Sequence, residues 1–556
     1  NIVKYGLYAV LLTPLVFWPR ALYGFMTPKF ILFQVLVEIV FAVWLILLLF
    51  RRGFTRIWAD LRRNYIALSL LLFLSVSFVS AIFGIDFSRS FWGIGARMTG
   101  LFAELHFFAW FLVLISISKS DFDMVRYLNF SFAVSILVAL SAFFQNTEWR
   151  LVYGSTFFNN PTFVAPYFIF HFFWGLYQTL ISKKWFFGFG TALLAFVIFL
   201  GEIRGAILGL FIGLTIFGLG LIFSDAARRR FKIFLFTFFV MIFVSLTGLW
   251  FARESAFIQN ISPLKRLTEM SLEQTTVQTR LIAWRLAFEG FKERIWFGVG
   301  PENFNYVFNT HYNPTLLKYG FGETWFDKPH NAFLQILTEI GTIGGLAYLL
   351  IFITVAFALF KLFKSGQKIL ALTLASAFTA YLSSMFFSFD SFGSWFGLFL
   401  MFGFLVSHDN ANKTEELRMP RIANTIYSQL AALVIVLCVL ALLYINYGIW
   451  RANIGDANAL RIFSHDQVQG IAYFKKSLNY FTPYKVEYQF DLVASVVGAL
   501  AKNLSIPQLE DNLNFALEGA DKAVKAHPQN AAYYTDMVKL YNILGEKGRN
   551  PEILNQ

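Results

Sequence analysis

Phe30-Ile-Leu-Phe-Gln-Val-Leu-Val-Glu-Ile-Val-Phe-Ala-Val-Trp-Leu-Ile-Leu-Leu-Leu-Phe50, closed by Arg51-Arg52, decides the fold class. About twenty apolar residues in a row are what a helix needs to cross a bilayer core. The run ends in cations, which anchor such a helix at the membrane surface. A second run of this kind is Gly205 to Phe223. By the same length rule the chain is expected to hold about thirteen spans. Their cores are 5–18, 30–50, 65–84, 101–117, 127–144, 163–181, 185–200, 205–223, 234–251, 341–360, 369–387, 392–407 and 426–446. Inside a bilayer only backbone that satisfies its own hydrogen bonds survives, so the expected class is an all-α polytopic membrane protein.

Composition agrees. Of 556 residues, 57% are hydrophobic and only 14% charged, where soluble domains carry about a quarter charged. The net charge of +13 would raise nucleic acid as a partner in a soluble protein. Here it reads as cationic loops that set topology, and no nucleic acid is expected. One set of alternating loops carries nineteen Lys and Arg, among them Arg62, Arg63, Lys183, Lys184, Lys361 and Lys364; the opposite short loops carry six. The first set is therefore expected on the cytoplasmic side, with the N-terminus inside. The 252–330 connection and a polar tail, 448–556, then lie outside. The single Cys438 leaves no internal disulfide. No cleavable signal peptide is seen, and a first residue that is Asn rather than Met leads us to expect trimming at the front.

Catalysis in such a protein needs polar groups at the water-facing ends of spans. Three outward places qualify. In Gly201-Glu-Ile-Arg204-Gly205, Arg204 stands at the mouth of a span, where its fork can grip two phosphate oxygens, and Gly205 would let a headgroup approach the backbone. In Thr279-Arg280-Leu-Ile-Ala-Trp284, the apolar residues Leu281, Trp284, Phe288 and Phe291 share one helical face. A short surface helix offering Arg280 follows; it ends at the breaker Gly298-Val-Gly300-Pro301. In Trp325-Phe-Asp327-Lys-Pro329-His330-Asn331, Asp327 and Pro329 resemble a helix cap and first turn, with Asn331 or His330 as the alternative cap. His330 then lies in that turn, kept neutral by the helix end and opposed in this by Asp327. Gly341 marks a break before the next span. His106 and His171 lie within spans and read as packing or cavity residues. There is no HExxH, CxxC, Walker loop, GxGxxG or carboxylate cluster of metal-ligand spacing, so no metal or nucleotide cofactor is expected.

The run Thr279-Arg280…Trp284…Phe297-Gly298-Val-Gly300-Pro-Glu-Asn-Phe304, followed by Asp327-Lys-Pro-His330-Asn331…Glu339-Ile-Gly341…Gly344, resembles the O-antigen ligase superfamily of ligases, polymerases and protein O-oligosaccharyltransferases. Ser90-Phe-Trp92-Gly93…Arg97-Met-Thr-Gly100 and Gly154-Ser-Thr-Phe-Phe-Asn159-Asn160-Pro161 look like further landmarks. The resemblance covers most of 1–410, and it implies a GT-C-like membrane glycosyltransferase. Such an enzyme works at the outer face of the bacterial cytoplasmic membrane and moves an undecaprenyl-pyrophosphate-linked glycan to a glycan, lipid or protein acceptor without a metal. It also implies the essential residues Arg204, Arg280 and His330. Arg97, Asp327, Asn331 and Trp284 stand as supporting candidates. Ile203 departs from the family, which often has Ser or Thr there. In the tail, segments ending at Pro483 and Pro528 look like tetratricopeptide helix ends, a repeat that often binds a protein partner. The rival readings are a lipid or glycan transporter, for which an internal repeat is expected and none is seen, and an anchored scaffold, which leaves 279–344 unexplained.

Overall fold

The computed structural model describes residues 1–50, 58, 61–117, 122–143, 156–158, 160–225, 229–230, 233, 237, 247–248, 251–260, 274–410, 425–502, 509–528 and 531–548. Among these residues the chain is helical and contains no strand. Seven helices are long and apolar enough to cross a membrane: Thr27–Phe50, Tyr65–Phe83, Met124–Phe143, Arg204–Phe223, Ala332–Lys364, Lys368–Met385 and Ile426–Phe463. Shorter apolar helices occupy Ile2–Leu15, Leu101–Ser116, Trp185–Leu200 and Phe392–His408, and Pro161–Ser182 forms a further helix at the expected 163–181. The span expected at 234–251 falls almost wholly outside the described residues, as do parts of the 154–161 landmark and many of the loop cations that set the expected topology.

Polar residues inside the bundle are paired. His106 sits between the Phe102 carbonyl (2.6 Å) and Glu38 (3.0 Å), and Asn446 of the last long helix donates to the same Glu38 oxygen at 2.8 Å. His171 bridges the Tyr167 carbonyl and Ser131, each at 2.8 Å. Both histidines therefore serve packing, as read from the sequence.

Gly205 has a different use from the one expected. A Cβ there would stand 3.1 Å from Phe387 Cβ, and one on Gly213 would stand 2.7 Å from the Ser376 carbonyl. Gly205, Gly209 and Gly213 thus form a small-residue seam along which Arg204–Phe223 packs on Lys368–Met385. The space a headgroup would have used is filled by protein.

Ala332–Lys364 is one helix in outline but is broken at Gly341, whose φ of 74° and ψ of −170° lie outside the helical region. The break is closed by the 295–300 backbone. Val299 and Gly300 N–H donate to the Thr338 and Glu339 carbonyls (3.1 and 2.8 Å), and Thr342 and Ile343 N–H donate to the Ile295 and Trp296 carbonyls (2.7 and 3.3 Å). Ser80 Oγ adds bonds to the Phe297 and Glu339 carbonyls. Backbone groups on both sides of the break thus find partners in the 295–300 segment, as a non-helical segment at membrane depth requires. Gly298 and Gly300 adopt positive φ to make this approach.

Ile426–Phe463 has 38 residues, about 57 Å at 1.5 Å per residue, so it runs well past a hydrocarbon core of about 30 Å. The expected boundary at 447/448 falls inside this continuous helix, which carries the chain into four further helices: Gln467–Leu478, Lys485–Ala501, Leu509–Ala526 and Ala531–Gly548. The tail docks on the 86–97 segment. Glu487 accepts the Gly95 N–H with both oxygens (3.0 and 3.1 Å), Tyr484 donates to the Trp92 carbonyl at 3.0 Å, and His527 pairs with Asp86.

Candidate functional site

Arg204 is the first residue of its helix, so its side chain stands at the end of the span. Its Nη1 donates to Gln274 Oε1. Gln274 is the N-cap residue of helix Thr275–Glu293, and this bond ties the span to the helix that carries Arg280. In that helix Thr279, Ala283, Leu286, Ala287 and Gly290 are buried, while Leu281 and Phe288 are 43% and 51% exposed. Leu281 and Phe288 of the face read from the sequence are thus directed away from the protein, as suits a helix lying on a membrane surface, and the small-residue face packs inward. Trp284 meets Phe386 edge-to-face at 5.5 Å.

Arg280 is largely buried. Burial works against its charge, Glu323 supports it, and the charge of Arg204 opposes it, with a net lowering of its pKa. A guanidinium nonetheless stays protonated. Two neighbouring cations that repel each other are a setting an anion would relieve. Glu323 is held beside them by the Thr279 hydroxyl at 3.0 Å.

The 326–331 segment decides between the expected helix caps in favour of the alternative. Asn331, not Asp327, is the cap: its Oδ1 accepts the Phe333 and Leu334 N–H groups, both at 3.0 Å. Asp327 forms a largely buried ion pair with Arg97 instead. His330 lies just ahead of the helix with φ of +55°, a conformation uncommon outside glycine and enriched at functional sites. Its ring is held edge-on by Phe326 and Phe389, at 5.4 and 5.2 Å. The Arg97 guanidinium lies over the same Phe389 ring at 5.3 Å.

His330 Nδ1 lies 3.1 Å from the Lys328 carbonyl. A carbonyl can only accept, so Nδ1 carries the proton and Nε2 keeps its lone pair. Burial, reinforced by Arg280 and Arg97 and opposed by the Lys328 carbonyl and Asp327, lowers the imidazole pKa to about 4. The contest between helix end and Asp327 is therefore settled by burial and by Arg280. Arg204, Arg280 and His330, predicted from separate motifs, form one chain of interacting charges: Arg280 senses Arg204, and His330 senses Arg280 and Arg97.

Sequence reading missed what fixes this loop. Lys328, 2% exposed, ion-pairs with Glu302 at 2.6 Å and Glu339 at 3.6 Å. Glu302 also accepts from Thr99 at 2.9 Å, and its N–H donates to Glu339 at 3.0 Å. Both glutamates lie inside the quoted motifs beside Gly300 and Gly341, but a buried lysine opposite them leaves no periodicity to read. A cleft with about 920 Å³ of open space begins beneath this network, acidic near Glu104, Glu302, Glu339 and Asp390 and apolar deeper, around Phe352 and Phe399. Among the described residues no group of three or more His, Cys, Asp or Glu is arranged to hold a metal.

A search of curated proteins finds no match to the chain. Residues 189–349 match the family model described as O-Antigen ligase, a stretch that contains Arg204, Arg280, Trp284, Asp327, His330 and Asn331 but not Arg97 or the tail. Over these residues the chain is similar to the O-antigen ligase family.

Proposed function

We propose that the protein transfers a glycan from undecaprenyl-pyrophosphate to an acceptor hydroxyl, without a metal, at the outer face of a bacterial cytoplasmic membrane. The observation that carries this reading is the coupled set Arg204, Arg280 and His330 at one end of the bundle. Arg204 and Arg280 grip the diphosphate, and the apolar helices hold the prenyl chain. The acceptor oxygen attacks the anomeric carbon, the bond from that carbon to the diphosphate oxygen breaks, and the diphosphate leaves with the electron pair. Two fixed guanidiniums stabilise the growing negative charge more than water would; losing one such donor costs about 10²–10³ in rate. His330 Nε2 takes the hydroxyl proton, a contribution of roughly 10²–10⁴. A single displacement inverts the anomeric centre. Bound diphosphate also screens Arg280, which raises the His330 pKa toward the range of an effective base.

The carboxyl groups lining the cleft supply hydrogen-bonding partners suited to a hydroxyl-bearing acceptor. We read the full chain as thirteen spans of GT-C type with the N-terminus cytoplasmic. The paired helices of the tail, with Pro483 and Pro528 after Gln467–Leu478 and Leu509–Ala526, support a tetratricopeptide-like unit for a protein partner. Ligase, polymerase and protein O-oligosaccharyltransferase differ only in the acceptor. The test supplies purified protein with lipid-linked glycan and lipid, glycan or protein acceptors, and identifies the modified one by mass spectrometry. Transfer to one acceptor, lost in Arg204→Ala, Arg280→Ala and His330→Ala, is expected. Near-normal transfer by all three variants overturns the proposal.

A further inference from the structure

We infer that Glu487, in the tail helix Lys485–Ala501, is a positioning residue for His330 and acts through the turn that carries Arg97. The inference rests on the reading of His330 as the base, and it makes the tail a part of the working site.

Glu487 reaches across 392 positions of chain to accept the Gly95 N–H with both oxygens, at 3.0 and 3.1 Å. The approach needs a glycine: a Cβ at position 95 would stand 2.8 Å from Glu487 Oε2 and 3.4 Å from the Tyr484 ring. Gly95 lies in a tight turn. The Arg97 and Met98 N–H groups both donate to the Ile94 carbonyl, at 3.1 and 2.7 Å, and Thr27 Oγ1 donates to the Gly95 carbonyl at 3.1 Å. Arg97 thus projects from a turn pinned by the tail on one side and by the start of a span on the other. A turn tied at its backbone holds its side chains more narrowly than one free to swing. The mount of the tail is itself stiff. Ile426–Phe463 carries the tail out of the bundle as one helix, and its Asn453 accepts the Leu22 N–H at 2.9 Å.

From this turn three contacts lead to His330. The Arg97 guanidinium pairs with Asp327, just ahead of the histidine. It also lies over Phe389 at 5.3 Å, the ring that holds the imidazole edge-on at 5.2 Å. Thr99 donates to Glu302 at 2.9 Å, Glu302 pairs with Lys328 at 2.6 Å, and the Lys328 carbonyl fixes His330 Nδ1 at 3.1 Å. Backbone strain marks the same path. Met98, Glu302 and His330 hold positive φ of 52°, 63° and 55°. Such residues persist only where their surroundings over-determine them, and Glu487 is one of the constraints on the turn that contains Met98.

The test follows the His330 titration in the full-length protein with no substrate present. In Glu487→Ala the turn is released, Arg97 withdraws from the imidazole and Asp327 loses its partner. Both changes favour the protonated ring, and the midpoint should rise from about 4 by roughly one pH unit. Loss of the Glu487 charge alone acts in the opposite direction, so a rise reports the movement of Arg97. Glu487→Gln keeps one acceptor oxygen and should titrate near the parent. Gly95→Ala displaces the carboxylate from the other side and should reproduce the rise with the tail unchanged. Val496→Ala weakens the same helix at a buried position and should leave the midpoint in place. A parent midpoint in both Glu487→Ala and Gly95→Ala, each folded by thermal shift, overturns the inference. So does an equal rise in Val496→Ala, which would make the tail a general brace. The titration needs no transfer, so failure of the transferase reading shows separately, as absent transfer with the rise intact.

Discussion

Replacing Gly341 by alanine should inactivate the protein, although the residue touches no substrate in the proposed mechanism. Gly341 holds φ of 74° and ψ of −170°, a region essentially restricted to glycine and costing another residue about 1–3 kcal/mol. Its missing Cβ also makes room for the Trp296 carbonyl and the Phe297 N–H. An added methyl collides with backbone, which cannot rotate away. The 295–300 strap must then lift, and the four backbone bonds that close the break are lost, at about 1 kcal/mol each. The sum is about 5 kcal/mol locally. The alternative is that Ala332–Lys364 straightens, which swings the first two turns and His330 away from Arg280. Gly366 supplies the control, because it also has positive φ (89°) but nothing within 4 Å of its absent Cβ. Gly366→Ala should cost about 1–2 kcal/mol of strain and leave transfer within a few-fold. Gly341→Ala should lower the thermal transition strongly and reduce transfer more than about a hundredfold, since a misplacement near 1 Å at a reacting group costs that much. If the two alanine variants are equally stable and equally active, the strap is not what holds His330 in place.

Lys328→Met leaves Glu302 and Glu339 buried without their cation and should destabilise the protein by about 3–5 kcal/mol, read by thermal unfolding; adding Glu302→Gln and Glu339→Gln should recover most of it. The His330 pKa of about 4 lies below the ordinary 6.5, so the free enzyme keeps its base unprotonated down to that range. The acid limb of kcat/KM should fall near pH 4–5, not near 6.5. Linkage has the matching sign: the stability gained from a neutral His330 is complete above pH 6.5 and is lost as pH falls toward 4, because the unfolded chain binds the proton first. Comparing His330→Gln with the parent across pH 4–7 isolates this term, on the order of 3 kcal/mol. Asp327→Asn strands the buried Arg97 charge and removes a group that raises the His330 pKa; lower stability and a still lower imidazole pKa are expected.

The seven long apolar helices were legible because bilayer thickness imposes a length that hydropathy reveals without any tertiary knowledge. The break at Gly341 was legible for a similar reason, since a glycine among helix formers is a local signal. Pairings across long stretches of chain were not. Asp327 looks like a helix cap beside Pro329, and only the fold brings Arg97, 230 positions away, to claim its carboxylate and leave capping to Asn331. Nothing local marks Lys328, and only the fold closes Glu302 and Glu339 around it. The periodicity of 281–291 correctly gave an amphipathic helix, yet could not say that Leu281 and Phe288 look outward while Trp284 meets Phe386 and the small residues pack inward. Gly205 was read for access when it serves contact with Phe387, a partner in another helix. Arg204, Arg280 and His330 were found through motif resemblance, and their common neighbourhood is a property of the fold.

The most direct test of the account is the titration of His330 itself, followed by NMR of labelled histidine and assigned with His330→Gln among the seven histidines of the chain. The imidazole should titrate near pH 4 in the free protein and rise clearly when a prenyl diphosphate is added. The rise should vanish in Arg280→Ala, which no longer binds the diphosphate beside it. A resonance that stays put on saturation with the diphosphate, or moves equally without Arg280, would show that imidazole and diphosphate do not share a site.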